Sequence, residues 1–386
     1  MKIVYYLPSL YISGGLERII TFKANYFAEH LKDSEVYIIT SEQNNNEPYF
    51  KVSPQIKLID INVLIDTPIN QNKLLKLLKY PFKYLLFKSR FKRIIKEINP
   101  DILISTLRRE LNFISSTDKK IVKIGEFHIS RFSYHSYSIK TTSLIVGYIK
   151  SYFEKRFIRN INSLDSFVVL TEEEKTFWPE INNIEVIHNP LTINPVTKSD
   201  CSNKKVIAVG RYAHQKGFDM LIEAWKIVAD LHPEWVLAIY GEGDDEILKR
   251  LIDKYNLHNS CLLKPATQEI VNKYCESSIF VLSSRYEGFG LVITEAMACG
   301  VPPIAFNCPC GPKDIINNFK DGILVKSEDI NELADKICFL IENENIRKEM
   351  GIKARKSSER FKIEHITMQW ESLFEKLVKN KTINKD

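Results

Sequence analysis

The first forty residues alternate between two periods. Residues 2–8, "KIVYYLP", form an apolar run of strand length, and residues 16–31, "LERIITFKANYFAEHL", place apolar side chains at helical spacing. The turn-forming "SLYISGG" separates them. The order strand, turn, helix then recurs. "EVYIIT" (35–40), "DILIST" (101–106), "IVKIGEF" (121–127) and "SFVVLT" (166–171) are apolar strand candidates alternating with amphipathic segments. Strands apolar along their whole length are buried on both faces, so the pattern predicts a parallel sheet with helices on each side. Residues 187–205, "IHNPLTINPVTKSDCSNKK", interrupt all periodicity with two prolines and a cluster of Asn, Thr, Ser and Asp. A second series follows: "VIAVG" (206–210), "WVLAIYG" (235–241), "SIFVLSS" (278–284) and "PPIAF" (302–306). The expected fold is α/β, with two tandem doubly wound domains at residues 1–188 and 189–365. A helical segment at 366–386 completes the chain. It can pack on either domain, with a return onto the first as the working expectation.

At 386 residues the chain is too long for one ordinary core. With 44% hydrophobic and 26% charged residues it has the balance of a globular protein. No stretch approaches the roughly 18 to 20 apolar residues needed to cross a bilayer, and the opening residues are too polar-interrupted for a secretory signal. The expected location is the cytosol. The seven cysteines all lie between residues 201 and 338, and only Cys308 and Cys310 are close together. Without a second Cys or His pair at zinc spacing they read as reduced structural thiols.

The net charge of +6 is uneven. Residues 1–190 carry 27 Lys/Arg against 20 Asp/Glu, and the remainder 27 against 28. Residues 73–97, "KLLKLLKYPFKYLLFKSRFKRIIKE", hold nine Lys/Arg and one Glu interleaved with large apolar side chains. Pro81 is expected to break any single helix there. Such a segment either lies in an anionic lipid interface or packs its apolar side on its own domain. A second cationic amphipathic stretch at 143–160 favours peripheral contact with the inner face of an anionic membrane. A basic segment studded with aromatic residues also suits single-stranded nucleic acid. The neutral second half argues against that partner, and no nucleic acid is expected.

Open parallel sheets bind ligands at the carboxyl ends of their strands. Three loops there carry suitable groups. In "SGGLER", Gly14 and Gly15 let an anion approach the backbone at a helix start. In "GRYAHQKG", Arg211 and Lys216 can grip a diphosphate from two sides, one as a fork and one as a point charge. In "SSRYEGFGLVITEAMACG" (283–300), Gly288 and Gly290 turn the backbone sharply and a helix begins near Leu291. Glu287 would face the crevice from the loop, and Glu295 would reach it from one turn inside the helix. A carboxylate accepting two hydrogen bonds in one plane suits vicinal hydroxyls. The N–H groups at Gly290 and Leu291 stay available for phosphate. "GDD" at 243–245 sits in a glycine loop and reads as a turn.

The segment "EGFGLVITE" (287–295), followed by "AMACG", resembles the E-x7-E signature of retaining glycosyltransferases of the GT-B architecture, two Rossmann-like domains facing a central cleft, and specifically of family 4. The resemblance continues in "GRYAHQKG", "VIHNP" (186–190), "SGGLER" and "DGILV" (321–325). It implies that Arg211 and Lys216 bind the donor diphosphate, that Glu295 holds the nucleotide ribose, and that Glu287 contacts the donor sugar. Gly14 and Gly15 would close over the phosphates from the other domain. A site histidine on a first-domain loop is also implied: His128, just past a strand candidate, or His135, further along. "NCPCGPKDII" (307–316) resembles the version in enzymes that build bacterial surface polysaccharides and lipid-linked oligosaccharides, with Gly311 as a backbone contact. The function implied is metal-independent hexosyl transfer, without cofactor, from a nucleotide-sugar, UDP-sugar favoured, to a glycan or lipid-linked saccharide. A nucleotide-sugar epimerase or a sugar phosphorylase would share this architecture.

Overall fold

A computed structural model of the chain describes residues 1–65, 73–132 and 144–383. His135 lies outside the described residues. The first sheet contains β1 (Lys2–Tyr6), β2 (Glu35–Thr40), β3 (Lys57–Asp60), β4 (Ile102–Ser105), β5 (Val122–Glu126), β6 (Ser166–Val169) and β7 (Ile184–Val186), in the order β3-β2-β1-β4-β5-β6-β7. The second contains β8 (Lys205–Val209), β9 (Val236–Gly241), β10 (Cys261–Pro265), β11 (Ile279–Leu282), β12 (Pro303–Phe306) and β13 (Ile323–Val325), ordered β10-β9-β8-β11-β12-β13. The strand pairs are parallel. Each sheet is doubly wound, so these are two Rossmann-like units.

The described helices of the first unit are α1 (Gly15–His30), α2 (Lys73–Ile98), α3 (Leu144–Asn162) and α4 (Glu172–Thr176). Those that follow are α5 (Phe218–Leu231), α6 (Glu246–Lys254), α7 (Ile270–Cys275), α8 (Leu291–Ala298), α9 (Pro312–Ile315), α10 (Ile330–Glu342), α11 (Glu344–Ser358) and α12 (Ile363–Ile383). Strand β1 shows why the chain needs both layers. Ile3 and Tyr5 join a core with Ile20, Ala24 and Phe27 of α1, whereas Val4 and Tyr6 join one with Phe87, Phe91 and Ile95 of α2. Successive side chains point to opposite faces, so an all-apolar strand is stable only between two helical layers.

Helix α2 runs unbroken through Pro81, contrary to the break expected there. The proline sits on an exposed stretch, where water can satisfy the carbonyl it leaves unpaired. Further along, Phe87, Phe91 and Ile95 recur at four-residue spacing and anchor the helix in the core. The two ends of α2 therefore differ. The C-terminal half is packed inside, while Leu78 and Phe82 are 68% and 77% exposed. Tyr148, Tyr152 and Phe153 of α3 are also exposed. The Arg109–Asn112 turn connects the two surfaces, packing on α3 while the Arg109 guanidinium lies 5.7 Å from the Tyr80 ring of α2.

The chain crosses between units twice, and the crossings are joined by a hydrogen bond from Leu191 N to Phe361 O at 2.6 Å. After the second crossing, α12 packs on α1 of the first unit. Trp370 is 1% exposed, and Phe374 meets Phe27 with ring centroids 5.6 Å apart. Truncating so large a buried side chain removes its transfer free energy and leaves a cavity. Trp370→Ala is expected to cost about 3–5 kcal/mol, read as a lowered urea midpoint for the first unit.

Candidate functional site

In each sheet the strand order reverses beside the first strand, between β1 and β4 and between β8 and β11. Crevices open at such points, beyond the carboxyl ends of the strands. The two crevices face one another, and the loops after β1, β5, β8, β11 and β12 build the cleft between them.

In the second unit, Arg211 stands exposed just past β8. The following turn, His214–Lys216, ends at Gly217 with φ +61°. A Cβ at Gly217 would lie 2.0 Å from the Ser283 carbonyl oxygen, so only glycine lets α5 start this close to the end of β11. That approach brings Lys216 Nζ to 2.7 Å from Glu287 Oε1, which also accepts a hydrogen bond from Ser284 Oγ at 2.6 Å. Gly290, with φ +96°, begins α8, and Glu295 sits in that helix with its side chain 3% exposed. Tyr274 Oη donates to Glu295 Oε2 at 3.2 Å, and Arg18 of α1 donates to Oε1. Gly311, with φ +123°, packs against the Phe289 carbonyl, which a Cβ would meet at 2.0 Å.

From the first unit, α1 starts at Gly15, where a Cβ would lie only 3.7 Å from Leu291 Cδ1. The N-termini of α1 and α8 thus meet across the cleft. Both present the positive end of a helix dipole, which suits an anion, and at α1 the Glu17 carboxyl already accepts from its own backbone N–H. Glu17 folds back on Gly14; burial raises its carboxyl above the usual value, with Arg108 and His128 pulling in the opposite direction.

His128 follows β5, with Nε2 3.1 Å from Glu126 Oε1. Its carbonyl touches the second unit, lying 2.6 Å from where a Gly288 Cβ would stand. Glu126 also pairs with Lys23 of α1, both side chains being 1% exposed. Burial alone would raise the Glu126 carboxyl, but the Lys23 ammonium and His128 outweigh it and hold it down to about 2. The Lys23 ammonium lies 4.2 Å from the Trp370 ring.

The "NCPCG" loop forms another part of the seam. Cys310 Sγ donates to Glu174 Oε2 at 2.9 Å, its amide donates to Glu173 Oε2 at 2.8 Å, and Glu172 N reaches Asp314 Oδ1 at 2.7 Å. Burial drives the Cys310 thiol well above its ordinary value, as expected for a structural rather than reactive cysteine. Gly243 forms a parallel bridge with Tyr212, Asp244 Oδ1 accepts from Glu246 N at 3.1 Å, and Asp245 pairs with Lys249.

The structure therefore gathers Gly14, Gly15, His128, Lys216, Glu287, Gly290, Leu291 and Glu295 around one cleft, with Arg211 exposed near its edge. Five partners were missed in the sequence. Arg18 and Glu17 follow the glycine pair directly, a stretch read only for its backbone. Lys23 and Glu126 did leave a signal, a lysine on the apolar face of a helix and a glutamate ending an apolar strand. Tyr274 left none.

Two facing doubly wound units, with helix N-termini and cations at their seam, define a two-domain α/β protein of the Rossmann-like class. Residues 192–357 match the family model of glycosyl transferases group 1. A glycosyltransferase of uncharacterised activity from Haemophilus influenzae is 30% identical over 378 residues, 96% of this chain and 99% of that protein. The amylovoran biosynthesis glycosyltransferase AmsD of Erwinia amylovora is 26% identical, with 96% of this chain and 99% of that protein covered. Among solved structures, S. aureus TarM in complex with fondaparinux, alpha-GlcNAc-glycerol and UDP matches with a TM-score of 0.75 at 20% identity, covering 97% of this chain and 99% of that one. The chain belongs to the group 1 glycosyltransferases, and its two units have the GT-B fold.

The Glu126 carboxyl is depressed from 4.5 to about 2. The stability it contributes is therefore complete above pH 4.5 and is lost as the pH falls towards 2. Glu126→Gln should be less stable than wild type at neutral pH, with the gap narrowing across that window in urea unfolding series.

Proposed function

We propose that the protein is a retaining, metal-independent glycosyltransferase of family 4. It moves a sugar from a nucleoside diphosphate donor, UDP-sugar favoured, to a membrane-associated or lipid-linked saccharide during synthesis of a bacterial surface glycan. The observation that carries this reading is the Lys216–Glu287 pair standing beside the opposed N-termini of α1 and α8. Arg211, Lys216 and the N–H groups of Gly14, Gly15, Gly290 and Leu291 take the diphosphate. Glu295 takes the ribose hydroxyls, and Glu287 and His128 hold the transferred sugar from opposite sides of the cleft.

Charge builds on the leaving phosphate as the bond from the anomeric carbon breaks. Fixed cations and helix N-termini stabilise that charge more in the transition state than in the ground state. The acceptor oxygen bonds to the anomeric carbon on the face the diphosphate leaves, and its proton departs with the nucleoside diphosphate. Metal independence is supported by the cations already placed and by the engagement of Asp244 with Glu246 N and of Asp245 with Lys249. The printed name of AmsD, for amylovoran biosynthesis, and the UDP bound to TarM support the glycan context and the uracil donor.

The acceptor side rests on the half-buried α2. No described helix is long and apolar enough to cross a membrane. The exposed Leu78, Phe82, Leu85, Tyr148, Tyr152 and Phe153, set among lysines and arginines, would instead lie in the interface of an anionic leaflet.

The test incubates UDP-, GDP- and ADP-sugars with polyprenyl-diphosphate-linked saccharides and follows glycan product and its anomeric configuration by NMR. Arg211→Ala and Lys216→Ala should each lower turnover about 10²–10³-fold, the scale for loss of one charge-stabilising group. Glu295→Ala should weaken binding of free nucleotide, whereas Glu287→Ala should keep that binding and lose turnover. Equal nucleotide affinity in both variants would contradict the two roles, and donor turnover without acceptor would point to an epimerase instead.

For the membrane contact, Leu78→Glu combined with Phe82→Glu should reduce co-sedimentation with phosphatidylglycerol vesicles and leave nucleotide binding unchanged. Undiminished sedimentation would remove this surface from the reading.

A further inference from the structure

Glu295, read above as the ribose carboxylate, is held from two sides by different kinds of partner. Tyr274 is fully buried, and burial followed by the nearby Glu295 charge pushes its phenol well above the ordinary value. It remains a fixed donor to Oε2. Arg18 differs: its side chain is 28% exposed, it belongs to the opposite unit, and it holds Oε1. A ribose diol arriving at Glu295 therefore competes with Arg18 and not with Tyr274.

The position of Arg18 gives it a second destination. Its amide donates to Gly14 O at 3.1 Å, so the side chain springs from the first turn of α1, at the helix end that faces Leu291. A guanidinium has five N–H donors, and its planar fork matches phosphate as well as carboxylate. Leaving Glu295 moves it only within a zone that already favours anions.

We propose that Arg18 is a positioning residue for donor capture: it holds Glu295 across the cleft in the resting enzyme, yields that carboxylate to the ribose hydroxyls, and turns onto the donor diphosphate. The inference rests on Glu295 as the ribose carboxylate. The exchange replaces one bridge between the units with another that runs through the nucleotide, so donor binding keeps the cleft closed while freeing the ribose subsite. An enzyme built in this way discriminates against nucleosides without phosphate, because they displace Arg18 and offer it nothing in return.

The experiment measures calorimetric affinities of wild type, Arg18→Gln and Arg18→Lys for uridine, guanosine and adenosine and for their diphosphates. Arg18→Gln should bind the matching nucleoside more tightly than wild type does, by about tenfold if Arg18 holds Glu295 nine-tenths of the time. It should also gain less affinity than wild type on going from nucleoside to diphosphate, with Arg18→Lys in between. Damaged folding cannot produce tighter nucleoside binding. Unchanged or weaker nucleoside binding by Arg18→Gln overturns the proposal. Glu295→Gln separates the two levels. If it loses nucleoside affinity while Arg18→Gln gains none, the ribose assignment stands and the role of Arg18 falls. If Glu295→Gln binds nucleoside as wild type does, the ribose assignment falls and takes the role of Arg18 with it.

Discussion

A charge placed inside a parallel sheet must find its partner there, and the pair formed by Lys23 and Glu126 arranges much of the first unit around it. Lys23 comes from α1, the helix whose first turn carries Gly14, Gly15, Glu17 and Arg18, and Glu126 ends β5, two residues before His128. Trp370 of the returning helix α12 covers the ammonium. Three segments far apart in sequence are thereby tied at one point. Removing one partner would strand a buried charge, at a cost of about 3–5 kcal/mol. The cleft inherits its rigidity on this side from that cost.

The second unit reaches similar precision by a different route, backbone approach. At Gly217 and Gly311 the chain passes another strand end or loop within a distance that no Cβ could occupy, in a conformation with positive φ. These contacts leave Lys216 and Glu287 little freedom, and their ion pair is largely desolvated. Charge in one unit and glycine in the other solve the same problem, the fixing of loops at the end of a sheet. Where the units meet, Cys310, Glu173 and Glu174 join the loop after β12 to the start of α4.

How far this was legible in the sequence depends on position in the sheet. The strands read from apolar runs, such as "KIVYYLP", "SFVVLT" and "SIFVLSS", are interior ones. The four unrecognised strands, β3, β7, β10 and β13, are the edges of the two sheets. An edge strand has fewer neighbours and fuller solvent contact. Exposed β3, "KLID", therefore carries no apolar signature. The site followed a similar rule. Residues at strand ends beside glycines were visible, because glycine marks close approach, whereas Arg18 and Tyr274 became visible only once the units faced each other. Pro81 misled because its local rule, loss of one backbone donor, is weaker than the anchoring of Phe87, Phe91 and Ile95 further along.

Helix α12 returns to α1, and the hydrogen bond between Leu191 and Phe361 holds the two passages between the units side by side. A body attached by a single strand can swivel in any direction. One attached by two adjacent strands is closer to a door on a hinge pin, with a single axis running along the pair. Opening would then be a swing that parts the lips of the cleft while keeping the facing loops in register, and each closure would return the same atoms to the same neighbours.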